Sequence, residues 1–378
     1  MKNRKIACVM CLAVLMATSA CGNAEAEKST TNSEIINEKT SQEESKQEMI
    51  KEEAKEEEKV EDGIAQAIAM EQNSKEELDK KDEELIAQAS EEVNDTLATV
   101  SLAMPNKYSL PYEGEKGSVE AITYEAKDYR DGGEGCEKKA FVYLPAGYDE
   151  SKQYNVLYLM HGIGGSENEW GLGEKTSKLK KILDRLMGEG SIEPFILVTP
   201  NGKALAFEHE DATETFYWFG EELRKDLIPY IESHYATYAE YDENGYDMTA
   251  TRTHRAIAGL SMGGMQTINI GLCECLDLFS WFGAFSAAPT SYPSAKVATI
   301  IDASPYDVDF FYNICGLEDN IAYASASAAA KNLPAVSEKI VDGENFMWHE
   351  KTGAHDFGIW YLGIYNFSQL AFNEQNNN

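Results

Sequence analysis

His254-Arg255-Ala256-Ile257-Ala258-Gly259-Leu260-Ser261-Met262-Gly263-Gly264 decides the fold of this chain. Residues 256–260 are apolar enough for a buried strand, and Met262 opens a helix. Ser261 stands at the junction, with glycines at 259, 263 and 264 around it. A strand that turns directly into a helix brings backbone segments close together, so a Cβ at the flanking positions clashes. Gly-x-Ser-x-Gly in this setting is a nucleophile elbow, which holds a serine hydroxyl above the end of a sheet. Such a serine makes or breaks acyl bonds only with a base, an orienting acid and an oxyanion site beside it.

Working outward, short apolar runs alternate with amphipathic ones. Strands are expected at 140–144, 156–160, 195–198, 256–260, 281–286, 310–315 and 346–348. Helices are expected at 176–187, 213–235, 262–275 and 357–372. Continuous apolar strands between helices indicate an α/β fold: a mostly parallel central sheet covered by helices on both faces.

In that topology the partners follow the serine in the order acid, then histidine, each on a loop after a strand. The chain has six histidines, and only His349 and His355 follow Ser261. His349 lies inside the apolar pattern Phe346-Met347-Trp348-His349, which suits a packed residue. His355 follows the turn Thr352-Gly353-Ala354 and precedes the last helix, so it is the expected base. After the strand at 310–315 comes Gly316-Leu317-Glu318-Asp319-Asn320. Asp319 is the expected acid, with Glu318 the alternative; Asp302, Asp307 and Asp309 precede that strand, at its wrong end. The tetrahedral oxyanion needs two N–H donors. Met262, at a helix start whose dipole assists, supplies one. The loop His161-Gly162-Ile163-Gly164-Gly165 supplies the other through Ile163, with His161 in a structural role.

The rest of the chain is organised differently. Lys2, Arg4 and Lys5 precede a short apolar run, and Thr18-Ser19-Ala20 precede Cys21. Residues 1–20 therefore read as a bacterial lipoprotein-type signal, with Cys21 the lipidated residue and simple cleavage near 24–26 the alternative. Residues 21–104 are rich in Glu, Lys, Gln, Ser and Ala, and form an acidic, largely disordered or helical stalk. Residues 105–378 are enough for one catalytic domain. The formal net charge of −32 excludes a basic phosphate-binding surface, so no nucleic acid partner is expected. Cys136, Cys273, Cys275 and Cys315 lack both metal-ligand spacing and a disulfide pattern; no metal and no cofactor are expected.

Four stretches carry a resemblance. They are Leu157-Tyr158-Leu159-Met160-His161-Gly162-Ile163-Gly164-Gly165-Ser166-Glu167-Asn168-Glu169-Trp170, Asp226-Leu227-Ile228-Pro229-Tyr230-Ile231-Glu232-Ser233-His234-Tyr235, the elbow, and Gly353-Ala354-His355-Asp356-Phe357-Gly358-Ile359-Trp360. In this order they resemble the esterase-D-like α/β-hydrolases, and most of all the feruloyl-esterase branch of carbohydrate esterase family one. The resemblance spans residues 140–372. It implies a Ser261–Asp319–His355 triad, because the family's acid ends a Gly-x-x-Asp loop that 316–319 matches. It also implies hydrolysis of ester decorations on plant cell-wall polysaccharide or its oligosaccharides. The acidic stalk is outside the family pattern. Trp170, Trp218 and Trp360 are candidates to line an aryl pocket or to stack on sugar. The competing expectations are an acetyl-xylan esterase or acyltransferase of the same fold, and a non-catalytic surface-binding lipoprotein. A complete Ser, Asp and His set argues against the last.

Overall fold

Eight strands build one sheet: β1 (Ser118–Lys127), β2 (Gly135–Leu144), β3 (Asn155–Met160), β4 (Phe195–Pro200), β5 (Arg255–Leu260), β6 (Trp281–Phe285), β7 (Phe310–Gly316) and β8 (Phe346–Lys351). The structure is a computed structural model, and it describes residues 100–129, 135–204, 213–242 and 245–373. Cys21, the signal at 1–20 and the stalk up to residue 99 lie outside the described residues. The sheet runs β1-β2-β4-β3-β5-β6-β7-β8. β1 pairs antiparallel with β2, and β2 with β4; every other neighbouring pair is parallel. This is the α/β-hydrolase arrangement, the fold class expected from the elbow.

The central strands are mostly apolar, and both of their faces are covered. All residues of β4, β5, β6 and β7 are buried. Along β3 the side chains divide by alternation: Val156, Tyr158 and Met160 face one core, Leu157 and Leu159 the other. The first core is closed by Phe219, Leu223, Leu227, Ile228 and Ile231, together with residues of helix Ser294–Ala303. The second is closed by helix Lys178–Gly188 through Leu179, Ile182, Leu183 and Leu186, and by the last helix, Phe357–Leu370. Each Leu or Ile removed from water in this way contributes about 1.5–3 kcal/mol.

Three expectations need correction. The run expected as one helix at 213–235 changes register: a 3-10 segment Thr213–Trp218, an α-turn Phe219–Glu222, a π-turn Leu223–Leu227 and an α-helix Ile228–His234. Pro229 has no N–H to donate, so a regular ladder cannot pass through it. Second, the expected strands omit β1, in which only the partly buried Ile122 and the buried Tyr124 and Ala126 alternate onto the first core and no other residue of the ten is buried. Third, the domain starts before residue 105. Val100 is buried in the second core and Met104 packs against it. The Asn366 side chain clamps Ser101, accepting its N–H at 3.0 Å and donating to its carbonyl at 3.1 Å.

β5, which carries the elbow, is held at its start by a buried ion pair. Arg255 donates to both carboxylate oxygens of Glu232, Nε to Oε1 at 2.5 Å and Nη2 to Oε2 at 3.0 Å. It also donates to the carbonyls of Met248 and Leu278 and to the Tyr246 hydroxyl. The guanidinium is wholly enclosed. Removing its counter-charge strands a buried cation, so Glu232→Ala is expected to lower unfolding free energy by about 3–5 kcal/mol. Urea denaturation checks this; a loss below about 1 kcal/mol, the size of an exposed pair, would contradict it.

Candidate active site

The elbow is as tight as its glycines suggest. A Cβ on Gly263 would stand 2.6 Å from the Met160 carbonyl oxygen and 2.7 Å from that of His161. A Cβ on Gly259 would stand 2.6 Å from the Gly263 carbonyl carbon. The elbow helix therefore crosses the end of β3 in backbone contact. Ser261 takes φ +50° and ψ −113°, a conformation that disfavours any side chain. Its backbone is pinned on three sides. The Ser261 N–H donates to the Phe285 carbonyl at 2.9 Å, and its carbonyl accepts from Met265 at 3.0 Å and Ala288 at 2.9 Å.

The three expected side chains meet. His355 Nε2 lies 3.0 Å from Ser261 Oγ, and His355 Nδ1 lies 2.8 Å from Asp319 Oδ2. None of the three is more than 2% exposed. Asp319 accepts, so the imidazole proton belongs on Nδ1 and Nε2 is left to face the hydroxyl. The other Asp319 oxygen accepts from the N–H groups of Ile321 at 3.0 Å and Ala322 at 2.7 Å. Burial by itself pushes this carboxyl up. The His355 hydrogen bond and charge outweigh that and hold it below the ordinary carboxylate value. Gly316 packs against the Gly353 carbonyl with no room for a Cβ, which brings the acid loop onto the histidine loop. Glu318, the alternative acid, accepts the Gly353 N–H instead and braces that contact. Asp356 then caps the last helix through Gly358 and Ile359.

The oxyanion loop is tied to the elbow helix through a neutral histidine. His161 Nδ1 donates to the Gly162 carbonyl at 2.7 Å, and its Nε2 accepts from the Gly202 N–H at 2.9 Å. Gln266, on the elbow helix, donates to the carbonyls of Gly202 and Phe216. Burial brings the His161 pKa down to about 3, so it stays uncharged. Ile163 and Met262 share a small apolar cluster with Phe216, Met265 and Ala288, against which Ile321 packs. Neither the Ile163 nor the Met262 N–H meets an acceptor among the described residues. The parts that sequence reasoning missed, Gly202 and Gln266, belong to no motif; only their contacts reveal them.

Two of the three tryptophans are corrected as substrate contacts. Trp170 is fully enclosed, donates to the Met160 carbonyl at 3.0 Å, and packs edge-on against Phe285, Phe357 and Tyr361. It anchors the loop after β3. Trp360 is also fully enclosed and stands edge-to-face with the His355 ring, centroids 5.1 Å apart. It backs the imidazole and cannot reach solvent. Trp218 is half-buried. His349 packs inside, with Nδ1 2.8 Å from the Tyr312 hydroxyl, away from Ser261.

Residues 133–360 match the family model named Esterase. The chain belongs to the Esterase family. Endo-1,4-beta-xylanase Y of Acetivibrio thermocellus is 34% identical to it over 206 residues, 53% of this chain and 18% of that protein. An endo-1,4-beta-xylanase/feruloyl esterase of Xylanibacter ruminicola is 28% identical over 262 residues, 68% of this chain and 31% of that one. The match thus spans less than a third of the length of either relative. A serine-to-alanine mutant of the feruloyl esterase module from Clostridium thermocellum, complexed with sinapinate, superposes with a TM-score of 0.60 at 29% identity. That comparison covers 76% of this chain and 96% of the module. A CE1 ferulic acid esterase from Anaeromyces mucronatus gives a TM-score of 0.59 at 25% identity, covering 74% of this chain and 99% of that one. Within its family, the chain is thus similar to proteins described as feruloyl esterases.

The buried histidines make stability depend on pH. Burial, aided by Lys351, brings His349 down to about 4. In the unfolded chain a histidine takes up its proton near pH 6.5. Between these values the unfolded state binds more protons, so this contribution to stability is lost as pH falls and levels off below about 4. The stability gap between wild type and His349→Gln is therefore expected to narrow from about pH 7 to about pH 4.5 in urea titrations. A gap independent of pH would contradict the neutral, buried assignment.

Proposed function

We propose that this protein is an exported serine carboxylesterase that removes feruloyl, or more broadly hydroxycinnamoyl, esters from plant cell-wall polysaccharide. One observation carries the chemistry: the unbroken hydrogen-bonded chain from Ser261 Oγ through His355 to Asp319. In the proposed mechanism Ser261 Oγ attacks the ester carbonyl carbon while His355 Nε2 takes its proton. The resulting oxyanion is held by the N–H groups of Met262 and Ile163. Collapse breaks the bond to the sugar oxygen, which leaves with the proton from His355. Water, deprotonated by the same nitrogen, then attacks the acyl-enzyme and releases the acid and the free serine. Asp319 fixes the imidazole tautomer and stabilises the imidazolium that forms in both steps.

The acyl group is inferred from two supports. Relatives described as feruloyl esterases match most of the catalytic domain. Met262, the residue after Ser261, also belongs to an apolar cluster with Ile163, against which Ile321 packs, a setting that suits a flat aryl chain. Trp218 is the tryptophan left as a candidate sugar or aryl contact. Export is inferred from the basic and apolar start of the chain, and lipid anchoring from Cys21 after Thr18-Ser19-Ala20. The acidic stalk would then hold the catalytic domain off the cell surface.

Wild type is expected to hydrolyse methyl ferulate faster than it deacetylates xylan. Ser261→Ala and His355→Ala are each expected to lower kcat by at least about a thousandfold, while His349→Ala leaves it within about threefold. Equal background rates for wild type and Ser261→Ala on every ester would refute the esterase assignment. A preference for acetylated xylan would move the acyl group to acetate. Mass spectrometry of the mature N-terminus tests the anchor: a diacylglyceryl group on Cys21 is expected, and an unmodified end near residues 24–26 would overturn it.

A further inference from the structure

Lys138 breaks the pattern of β2. The inward positions Cys136, Lys138 and Ala140 alternate with exposed neighbours, and a charged side chain takes the middle one. Its ammonium is enclosed, lies 3.0 Å from each Glu222 carboxylate oxygen, and stands over the Phe219 ring. Glu222 is enclosed as well and accepts from the Tyr124 hydroxyl at 2.6 Å. Such a pair is costly to take out of water, and apolar residues of the same volume would hold the core as well. Apolar residues could not donate a hydrogen bond. The third partner of the Lys138 ammonium is the Lys203 carbonyl, in the turn after β4.

That turn holds the oxyanion loop. The β2 backbone fixes one end of it, because the Asn201 N–H donates to the Lys139 carbonyl at 3.3 Å. The Lys138 side chain fixes the other end at Lys203. Between them lies Gly202, whose N–H donates to His161 Nε2 at 2.9 Å and whose carbonyl accepts from Gln266 at 2.7 Å. A Cβ on Gly202 would stand 2.7 Å from Met160 Cε, so the turn rests on the end of β3. His161 Nδ1 donates in turn to the Gly162 carbonyl at 2.7 Å. That carbonyl and the Ile163 N–H belong to one planar trans peptide and point in opposite directions. The ring that holds the carbonyl therefore aims the N–H. We propose that the Lys138–Glu222 pair positions the oxyanion site: it fixes the Lys203 carbonyl and, through Gly202 and His161, the direction of the Ile163 N–H. The inference rests on the esterase reading of the Ser261 site and deepens it. Lys138 and Glu222 are positioning residues, which act through His161.

Lys138→Met alone strands the Glu222 carboxylate and endangers folding. Lys138→Met/Glu222→Gln removes both charges and keeps an acceptor for the Tyr124 hydroxyl, so it tests positioning in a folded chain. Tyr124→Phe breaks the network on the side away from the turn and serves as the structural control. On 4-nitrophenyl acetate the double variant of the full chain is expected to lose about tenfold or more in kcat with KM little changed, because the oxyanion contact is made in the transition state. Phenylboronic acid, which adds to a serine hydroxyl as a tetrahedral anion, is expected to bind the double variant more weakly by a similar factor. Tyr124→Phe is expected to lower the melting temperature while keeping kcat within about twofold. The nitrogen NMR signal of His161 Nε2 reads the Gly202 contact without turnover. It is expected to move in the double variant and to stay in place in Tyr124→Phe. Wild-type kcat, boronate affinity and His161 signal in the double variant would overturn the positioning role and leave the esterase reading standing. An equal loss of kcat in Tyr124→Phe would also overturn it, since general loosening would then account for the loss. A moved His161 signal in the double variant, with no ester turned over by it or by the wild type, would support the Lys138 contact and sink the esterase reading.

Discussion

Everything at this site depends on one close contact, the crossing of the elbow helix over the end of β3. Gly263 lies so near the carbonyls of Met160 and His161 that no Cβ fits between them. That contact does two things at once. It forces Ser261 into its positive-φ conformation, and it sets the oxyanion loop, which begins at His161, beside the helix start at Met262. Ser261 and the N–H groups of Met262 and Ile163 are thus positioned by a single steric constraint and not by two independent loops. Strain of this kind costs on the order of 1–3 kcal/mol and persists only where the surroundings over-determine it. Here they do: three backbone hydrogen bonds hold Ser261, and Gln266 and His161 tie the same helix to the Gly202 turn.

Asp319 and His355 are brought in by a second close approach. Gly316 packs on the Gly353 carbonyl, so the loops after β7 and β8 touch just where Asp319 and His355 leave them. The site is then enclosed. Trp360 packs behind the imidazole with Phe357 against it, and Trp170 anchors the loop after β3. In such low-dielectric surroundings the Asp319–His355 hydrogen bond is stronger than in water, and a protonated His355 would have a fixed partner.

Much of this was legible in the residues. The central strands are apolar on both faces, so 156–160, 256–260 and 310–315 announced themselves without structure. The order serine, acid, histidine was legible because each lies just past such a run. Other features left no local trace. β1 is an antiparallel edge strand with one face in water, and only the short alternation of Ile122, Tyr124 and Ala126 marks it. Val100 and Ser101 look like the end of a polar stalk, and only Asn366, 265 residues away, reveals that they dock. Depth is likewise invisible in sequence: Trp170 and Trp360 look like ligand contacts until their enclosure is seen.

The most direct test of the account is whether Ser261 carries the acyl group. The full chain would be mixed briefly with excess 4-nitrophenyl acetate, quenched in acid, digested and mapped by mass spectrometry. One acetyl group on the peptide bearing Ser261, absent from the His355-intact Ser261→Ala protein, is the predicted result. An unlabelled Ser261 peptide in a protein that still releases nitrophenol, or a label on another residue, would contradict it.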